Sequence, residues 1–238
     1  MKIVRLDKYL SDTTDYTRSE IRRLIKKGKA IVNGKTVRNF DAKINTEADY
    51  VIFCENTVQY KEFIYLILNK PSGILSVSND KDRKTVVDII PDEYKKYDLF
   101  PVGRLDKDTT GLIFLTNDGE FAHKVISPKS NIEKSYIAVV DGMPTADMSE
   151  MFMSGVVLAD GTVCKPAIFE VLSNNSVRII LTEGKYHQIK RMLGVVGLGV
   201  NSLHRERIGC FTLPSDMKTG EIRDIEPTTA FKLFNIDK

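Results

Sequence analysis

Apolar residues recur at helical spacing near the start of the chain. Ile21, Leu24 and Ile25 fall on one face of a helix. The four residues that begin at Thr17 and end at Glu20 form a capping box just before this face. The pattern predicts a helix that starts near residue 18 and packs its apolar face on a core.

Short β-rich runs follow this helix. Gly28 provides a C-terminal stop, and Asn33-Gly34 is the dipeptide most typical of a two-residue hairpin turn. Tyr50–Phe53 supplies a further β-rich run. The sequence therefore predicts a small α+β unit at the N-terminus.

From residue 63 onward, predicted strands and helices alternate with turn signals. Phe63–Gly73 reads as a buried strand ending in a turn, and Ser135–Val140 as another strand. Gly161–Leu172 and Val177–Thr182 are expected to pair antiparallel, and Val86–Tyr97 to form a short helix pair. We expect a mixed, mainly antiparallel sheet with helices on its faces, which makes the fold class α+β.

An amphipathic helix is predicted from Tyr186 onward. Its apolar face, at spacing i, i+3, i+4 and i+7, comprises Ile189, Met192, Leu193 and Val196. Its cationic stripe comprises His187, Lys190 and Arg191. Taken alone, such a stripe is typical of a solvated helix face. At the rim of a cleft it could hold a carboxylate and bind phosphates.

The segment Gly103–Glu120 contains the strongest candidate for chemistry. Asp106 lies two residues after Arg104 in a polar run that leads into the apolar strand Leu112–Leu115. Asn117-Asp118-Gly119 is expected to close this strand as a turn. A polar loop that feeds a buried strand can hold a reactive side chain rigidly at the mouth of a cleft.

The segment allows two other interpretations. Asp106 and Asp108 form a D-x-D pair, but a calcium loop needs Asp or Asn at position five and Glu at position twelve. Those positions hold Thr110 and Asn117, so we reject the calcium loop. Alternatively, Asp106 is a turn residue or pairs with Arg104 at the surface, which spacing alone favours.

Composition limits the class of protein. The chain has 238 residues, 42% hydrophobic and 28% charged, which is typical of one or two globular domains. No apolar run approaches the roughly 20 residues needed to span a bilayer, and the segment MKIVRLDKYL lacks the apolar region expected of a secretory signal peptide. Three dispersed cysteines and three histidines show no metal-ligand spacing. We expect a cytoplasmic protein without a metal site, a membrane contact or a cofactor.

Positive charge is concentrated at the N-terminus. Residues 1–60 carry 12 Lys and Arg against 8 Asp and Glu, whereas the remainder carries 23 against 24. Between Arg18 and Arg38, eight basic residues stand against the single acid Glu20. A solvated basic helix is common, but nearly one-signed charge over a helix and the following hairpin favours nucleic acid as the partner.

The N-terminal sequences RLDKYL and TRSEIRRLIKKGKAIVNGK resemble the RNA-binding module first described in small-subunit ribosomal protein S-four. The resemblance covers roughly residues 3–55. It implies that a basic surface on this module meets RNA phosphates, which confer affinity rather than sequence choice. The implied contacts are Arg18, Arg22, Arg23, Lys26, Lys27 and Lys29.

The remainder of the chain resembles the RsuA-type branch of the pseudouridine synthases. The motifs that carry this resemblance, in the family's order, are LNKPSG, GRLDKDTTGLIFLTNDG, EKSYIAVV, EGKYHQIKRM and HRERIG. The resemblance implies an RNA-binding domain with linker over residues 1–60 and a catalytic domain over residues 61–238. It also implies isomerisation of uridine to pseudouridine in RNA, with neither cofactor nor metal.

The substrate is less firmly indicated than the reaction. HRERIG is most similar to the branch members that modify small-subunit (16S) ribosomal RNA. Relatives that act on large-subunit (23S) RNA share the other motifs and remain an alternative, as does a non-catalytic RNA-binding ribosome assembly factor. We expect a monomer whose partner is ribosomal RNA or a small-subunit assembly intermediate.

The resemblance also implies roles for individual residues. Asp106 matches the catalytic aspartate, acting as nucleophile or base, and Lys190 matches the cation paired with it. Tyr136 matches the tyrosine that stacks on the target base and helps remove the ring proton. Arg104 matches the side chain that fills the gap left by the flipped nucleotide, and Lys70 either contacts substrate or anchors its turn. Further phosphate-contact candidates are Arg191, His204, Arg205 and Arg207.

Overall fold

The computed structural model describes residues 2–234 (only the backbone of Leu233), so the expected domain ends at residues 1 and 238 lie outside the described residues. The chain forms two compact units. The N-terminal unit comprises the described residues up to Glu62 together with Asp92–Tyr97. The sheet unit comprises Phe63–Pro91 and the described residues from Asp98 onward.

Among its described residues, the N-terminal unit contains two α-helices, one 3-10 helix and two small antiparallel sheets. Its elements are β1 (Ile3–Arg5), α1 (Leu6–Thr13), α2 (Arg18–Lys26), β2 (Ala30–Val32), β3 (Lys35–Val37), β4 (Lys43–Asn45), β5 (Val51–Phe53), β6 (Asn56–Val58) and the 3-10 helix Asp92–Tyr97. The expected capping box is present, because the Thr17 hydroxyl accepts from the backbone of Glu20 and the Glu20 carboxylate accepts from the backbone of Thr17. Ile21 and Ile25 are fully buried, as predicted.

The predicted hairpin joins β2 to β3. Asn33 and Gly34 both have positive φ angles, 49° and 78°. Two successive left-handed residues are the geometry of a type I′ turn, which matches the twist of the flanking strands. The sheet order is β3-β2-β5-β6. The hairpin belongs to the basic segment that follows α2 in the sequence.

The sheet unit is built on one large sheet with helices packed against it. Its elements are β7 (Tyr65–Lys70), β8 (Phe100–Val102), β9 (Thr110–Thr116), α3 (Gly119–Ile126), β10 (Lys134–Asp141), α4 (Met148–Ser154), β11 (Ile168–Ser173), β12 (Ser176–Leu181), α5 (Gln188–Val195), β13 (Gly199–Ile208), β14 (Phe211–Thr212), β15 (Ile222–Asp224) and α6 (Pro227–Leu233). The main path runs β11-β12-β10-β13-β9-β7-β15. Among the described strands only β9 and β13 pair in parallel. The predicted α+β class with a mixed, mainly antiparallel sheet is confirmed.

Several local predictions need correction. Val86–Tyr97 is not a helix pair, because only Asp92–Tyr97 is helical and it is a 3-10 helix that follows Pro91. The expected turn at residues 117–119 is instead the start of α3. There the Asp118 carboxylate accepts from the backbone of Phe121 at 3.0 Å and from the Tyr65 hydroxyl at 2.6 Å. A helix cap and a turn use the same short polar residues, so their sequence signals overlap.

The second antiparallel pair and the amphipathic helix are shorter than predicted. The pair begins at Ile168 rather than Gly161, and α5 ends at Val195, so Val196 lies beyond the helix and is half-buried. Ile189, Met192 and Leu193 are buried, as their spacing predicts. Across residues 2–234 we find no helix with the length and apolarity to cross a membrane.

Candidate active site

A buried lysine anchors the loop that joins β8 to β9. The side chain of Lys70, at the end of β7, is fully buried. Its ammonium donates to the backbone carbonyls of Asp106, Lys107 and Thr109 at 3.2, 3.1 and 2.8 Å, and to that of Pro71 at 3.1 Å. One side chain therefore fixes the path of the loop from Asp106 to Thr109.

This geometry corrects the assignment of Lys70 to the RNA contacts. A fully buried ammonium that donates to four carbonyl oxygens is an anchor for the loop, which was the alternative left open by the sequence. Burial lowers the pKa of Lys70 to about 8, while Asp108 and Asp106 favour its charged form. The sequence signal for this anchoring role was the position of Lys70 at the end of β7, a strand whose other residues are almost all apolar.

The far end of the loop is fixed by the parallel pairing of β9 with β13. Gly111 lies opposite Arg205 and has a φ of 102°. A Cβ atom at Gly111 would lie 2.3 Å from the carbonyl oxygen of Arg205. Close approach of the two backbones therefore requires glycine here, five residues after Asp106.

Two cationic or ionisable groups reach the carboxylate of Asp106. Lys190 Nζ lies 3.7 Å from Oδ2, and His187 Nε2 lies 3.6 Å from Oδ1. The Asp106 side chain is 30% exposed and that of Lys190 is 24% exposed. The structure therefore brings together the two residues that the sequence placed 84 positions apart.

Asp108 shares Lys190 with Asp106. Lys190 Nζ lies 2.7 Å from both carboxylate oxygens of Asp108, closer than it lies to Asp106. The hydrogen bond from Lys190 lowers the pKa of Asp108. Because Asp108 is 68% exposed, it can release Lys190 toward Asp106 at little cost.

His187 is the functional candidate to which the sequence assigned no individual role. It directly precedes α5 and has left-handed backbone angles, φ 46° and ψ 34°. Such a conformation is uncommon for residues other than glycine and persists where the surrounding structure enforces it. Here it turns the imidazole toward Asp106 while Ile189 and Met192 pack α5 on the core.

Tyr136 lies on β10 opposite Arg205. Its ring is only 8% exposed, and Arg205 Nη1 donates to its hydroxyl at 3.4 Å. A register shift between Ser135 and Tyr136 leaves Glu206 of β13 as the extra residue of a bulge. Bulges commonly re-aim a side chain beside a functional site.

The expected phosphate contact at Arg205 is wrong, because this side chain is 2% exposed. Its Nε donates to the carbonyl of Leu112 at 2.7 Å. Within residues 2–234 its Nη2 is buried without a hydrogen-bond partner. Arg205 thus connects Tyr136 to β9, the strand that follows the Asp106 loop.

The other proposed RNA contacts of the sheet unit differ in availability. Arg104 is exposed, and no ion pair to Asp106 or Asp108 is found for it in the described part of the chain. Three residues already have intramolecular partners. RNA would have to displace these partners or bind while they stay in place. These are Arg191 with Asp160 at 2.5 Å, His204 with the Thr110 hydroxyl at 2.9 Å, and Arg207 with Glu133 at 2.9 Å.

In the N-terminal unit, a buried carboxylate organises part of the basic surface. Asp7 is fully buried and accepts from Arg5 at 3.0 Å and from Arg22 at 2.8 Å, with Arg18 3.4 Å away. Burial alone would raise the pKa of Asp7, but these guanidinium groups outweigh it and hold the pKa at about 2. Arg18 and Arg22 are therefore partly neutralised.

The remaining basic side chains of this surface are exposed, namely Arg23, Lys26, Lys27 and Lys29. Of these, Lys29 lies 3.7 Å from Glu55, and Lys26 Nζ lies 5.7 Å from the ring centre of Phe40. Arg22 also lies over the Phe40 ring, at 4.9 Å. The arrangement presents a cationic helix face that can contact phosphates.

Comparison with known proteins gives two family matches. Residues 64–194 match the model of the RNA pseudouridylate synthase family, and residues 4–45 match the S4 domain. In a solved structure described as a crystal structure of pseudouridylate synthase, the similarity covers 97% of this chain and 99% of that one. The TM-score is 0.68 and the sequence identity is 32%.

Similar proteins span nearly the whole chain. The ribosomal small subunit pseudouridine synthase A of Escherichia coli K12 is 38% identical over 93% of this chain and 96% of its own length. The uncharacterized RNA pseudouridine synthase YtzG of Bacillus subtilis is 37% identical over 93% of this chain and 95% of its own length. The ribosomal small subunit pseudouridine synthase A of Haemophilus influenzae is 33% identical over 97% of this chain and 99% of its own length.

Proposed function

Because this chain belongs to the RNA pseudouridylate synthase family and carries an S4 domain, we propose that it isomerises one specific uridine of small-subunit ribosomal RNA to pseudouridine. That it is an RNA pseudouridine synthase, and so an isomerase, follows from the family match and from relatives similar over almost their full length. The choice of small-subunit RNA is supported by the relatives from Escherichia coli and Haemophilus influenzae that carry that name.

The observation that carries the site assignment is the contact of Asp106 with Lys190 at 3.7 Å on a loop anchored by Lys70. An ammonium at this distance attracts and orients a carboxylate, which is the group needed for attack or for proton abstraction. We propose Asp106 as the catalytic carboxylate and Lys190 as its cationic partner.

The reaction is an isomerisation with no net loss of atoms. The bond between ribose C1′ and uracil N1 breaks, the uracil rotates, and a bond forms from C1′ to C5. The C5 proton leaves, and N1 takes up a proton. We propose that Asp106 assists the bond exchange at the sugar. We also propose that Tyr136, whose hydroxyl accepts a hydrogen bond from Arg205, stacks on the base and helps remove the C5 proton.

The target uridine must leave its base stack before it can reach Asp106, at a cost of a few kcal/mol. Arg104 is exposed two residues before Asp106 and can fill the space that the flipped nucleotide leaves. The basic face of α2 supplies affinity through phosphate contacts. We assign RNA binding to residues 1–60 and catalysis to residues 61–238, and we place the reaction in the cytoplasm on ribosomal RNA or a subunit assembly intermediate.

Two measurements test this proposal. A nucleotide-resolution pseudouridine map of ribosomal RNA, with and without the gene, should lose one site in small-subunit RNA. Loss of a large-subunit site instead would overturn the substrate assignment. Tritium release from C5-labelled uridine in the mapped RNA should be abolished by Asp106→Asn, and equal release by both proteins would refute the assignment of Asp106.

A further inference from the structure

An exposed aromatic ring lies directly beside the Asp106 site. Tyr186 is 76% exposed, although it precedes the buried Gln188 by only two residues. Its ring stacks on the imidazole of His187, with 3.9 Å between the ring centres and 19° between the planes. One face of Tyr186 is thus covered by His187, and the ring remains largely open to solvent.

His187 also connects Tyr186 to the carboxylate of Asp106. His187 Nε2 lies 3.6 Å from Asp106 Oδ1, so the imidazole that stacks on Tyr186 also reaches the Asp106 carboxylate. A planar group on the open face of Tyr186 would therefore be separated from Asp106 by two stacked rings. This spacing suits a base that neighbours the target nucleotide rather than the target itself.

The segment that carries Tyr186 is held by hydrogen bonds on both sides. Gln188 is 4% exposed, accepts from the backbone of Lys185 at 2.8 Å, and donates to Glu183 at 2.6 Å. Arg191 Nη1 lies 3.4 Å from the carbonyl oxygen of Tyr186. An exposed ring on a segment ordered in this way loses little conformational entropy when it binds a partner.

The surroundings of Tyr186 favour nucleic acid over an apolar protein segment. The neighbouring side chains within five residues are mostly polar or charged and include Lys185, Lys190 and Arg191. Unpaired RNA bases stack on aromatic rings while cations contact the flanking phosphates. An apolar protein partner would instead require a contiguous apolar patch.

We propose that Tyr186 is a stacking platform for an unpaired nucleobase adjacent to the target uridine. The inference rests on the proposed function, because it takes Asp106 as the point where the target ribose lies. It adds a binding subsite that contributes to the choice of RNA without taking part in the bond exchange. Stacking accepts any base, so the subsite selects unpaired structure rather than sequence.

Steady-state kinetics on RNA containing the mapped uridine, from whichever subunit, test the platform. Tyr186→Ala should raise KM by about 5- to 150-fold and leave kcat within about threefold, since stacking contributes to binding. Tyr186→Phe should restore KM, because the ring is kept. Met143→Ala, which truncates a side chain that is 72% exposed in the same unit, is the matched control.

An RNA with abasic neighbours separates stacking from other roles. If the platform binds a neighbouring base, wild type and Tyr186→Ala should have equal KM on RNA that lacks that base. A fall in kcat with unchanged KM would overturn the proposal and point to an effect through His187. The proposal would also be overturned if Tyr186→Ala raised KM by the same factor on intact RNA and on abasic RNA.

A fluorescence measurement tests the subsite without turnover. The chain contains no tryptophan, so Tyr186→Trp in the Asp106→Asn background introduces a single indole at the platform. Binding of a single-stranded RNA should quench its emission, and the abasic RNA should not. Absence of quenching by an RNA that binds would refute the platform, whereas the tritium and mapping results alone decide the proposed function.

Discussion

The ammonium of Lys70 lies 3.2 Å from the backbone carbonyl oxygen of Asp106. The same ammonium donates to the carbonyls of Lys107 and Thr109, so a residue of β7 sets the geometry of a loop 36 positions later. A rigid loop is needed because a displacement of about 1 Å can cost about 100-fold in rate.

Lys70→Met should therefore lower kcat by about 100-fold with a smaller effect on KM. It should also lower the free energy of unfolding by about 2–4 kcal/mol, because the carbonyls lose their donors in a buried site. Lys107→Met, on the exposed part of the same loop, is the control for the loss of a lysine. A Lys70→Met protein with normal kcat would show that the loop holds its own conformation.

Lys190→Met should lower kcat by about 100-fold, because the charge that stabilises Asp106 is lost. Lys190→Arg keeps the charge and should retain more activity than Lys190→Met. Asp108→Asn should change kcat by only a few-fold, since Asp108 is 68% exposed. If Asp108→Asn were as damaging as Lys190→Met, the essential partner of Lys190 would be Asp108.

Gly111→Ala should lower the free energy of unfolding by more than about 3 kcal/mol and abolish turnover. The reason is the 2.3 Å approach of the added Cβ to the Arg205 carbonyl, together with a φ of 102°. Gly119→Ala, where nothing lies within 4 Å of the added Cβ, is the matched control. Thermal unfolding of both variants measures the difference, and an equal Tm for the two would contradict the close approach.

Asp7 should make stability depend on pH in the acid range. Its pKa is about 2 in the folded chain against an ordinary 3.8, so its stabilising contribution is complete above about pH 4 and is lost as the pH falls toward 2. The contribution is about 1–2 kcal/mol, reduced by the exposure of the arginines. Urea unfolding at pH 4 and pH 2 should show a smaller change for Asp7→Asn than for wild type. Asp12→Asn, on the same helix, is the control.

Replacing the four exposed basic residues of the α2 region by glutamine should weaken RNA binding and flatten its salt dependence. The variant changes Arg23, Lys26, Lys27 and Lys29. Each lost phosphate contact reduces the slope of log K against log salt by about 0.7–0.9. Turnover of a saturating short RNA should not change. Loss of kcat at saturation would mean that this surface does more than hold the RNA.

Patterns local in the chain were predictable. The capping box at Thr17 and the turn at Asn33-Gly34 depend on residues a few positions apart, and both occur where expected. The turn predicted at residues 117–119 is wrong, because Asp118 suits either a turn or the cap of a helix. The motifs also identified the family, although the roles of Tyr136 and Arg104 stay predictions.

By itself, the sequence determined the α+β class, the family and the candidates Asp106 and Lys190. Only the tertiary structure decided that Lys70 anchors the loop, that Arg205 is buried against Tyr136, and that His187 approaches Asp106. The physical reason is that charge and hydrogen-bonding capacity belong to each residue type, whereas burial and partners depend on strands brought together from distant positions. A lysine or an arginine looks the same in a sequence whether it meets phosphate in solvent or a carbonyl in the core.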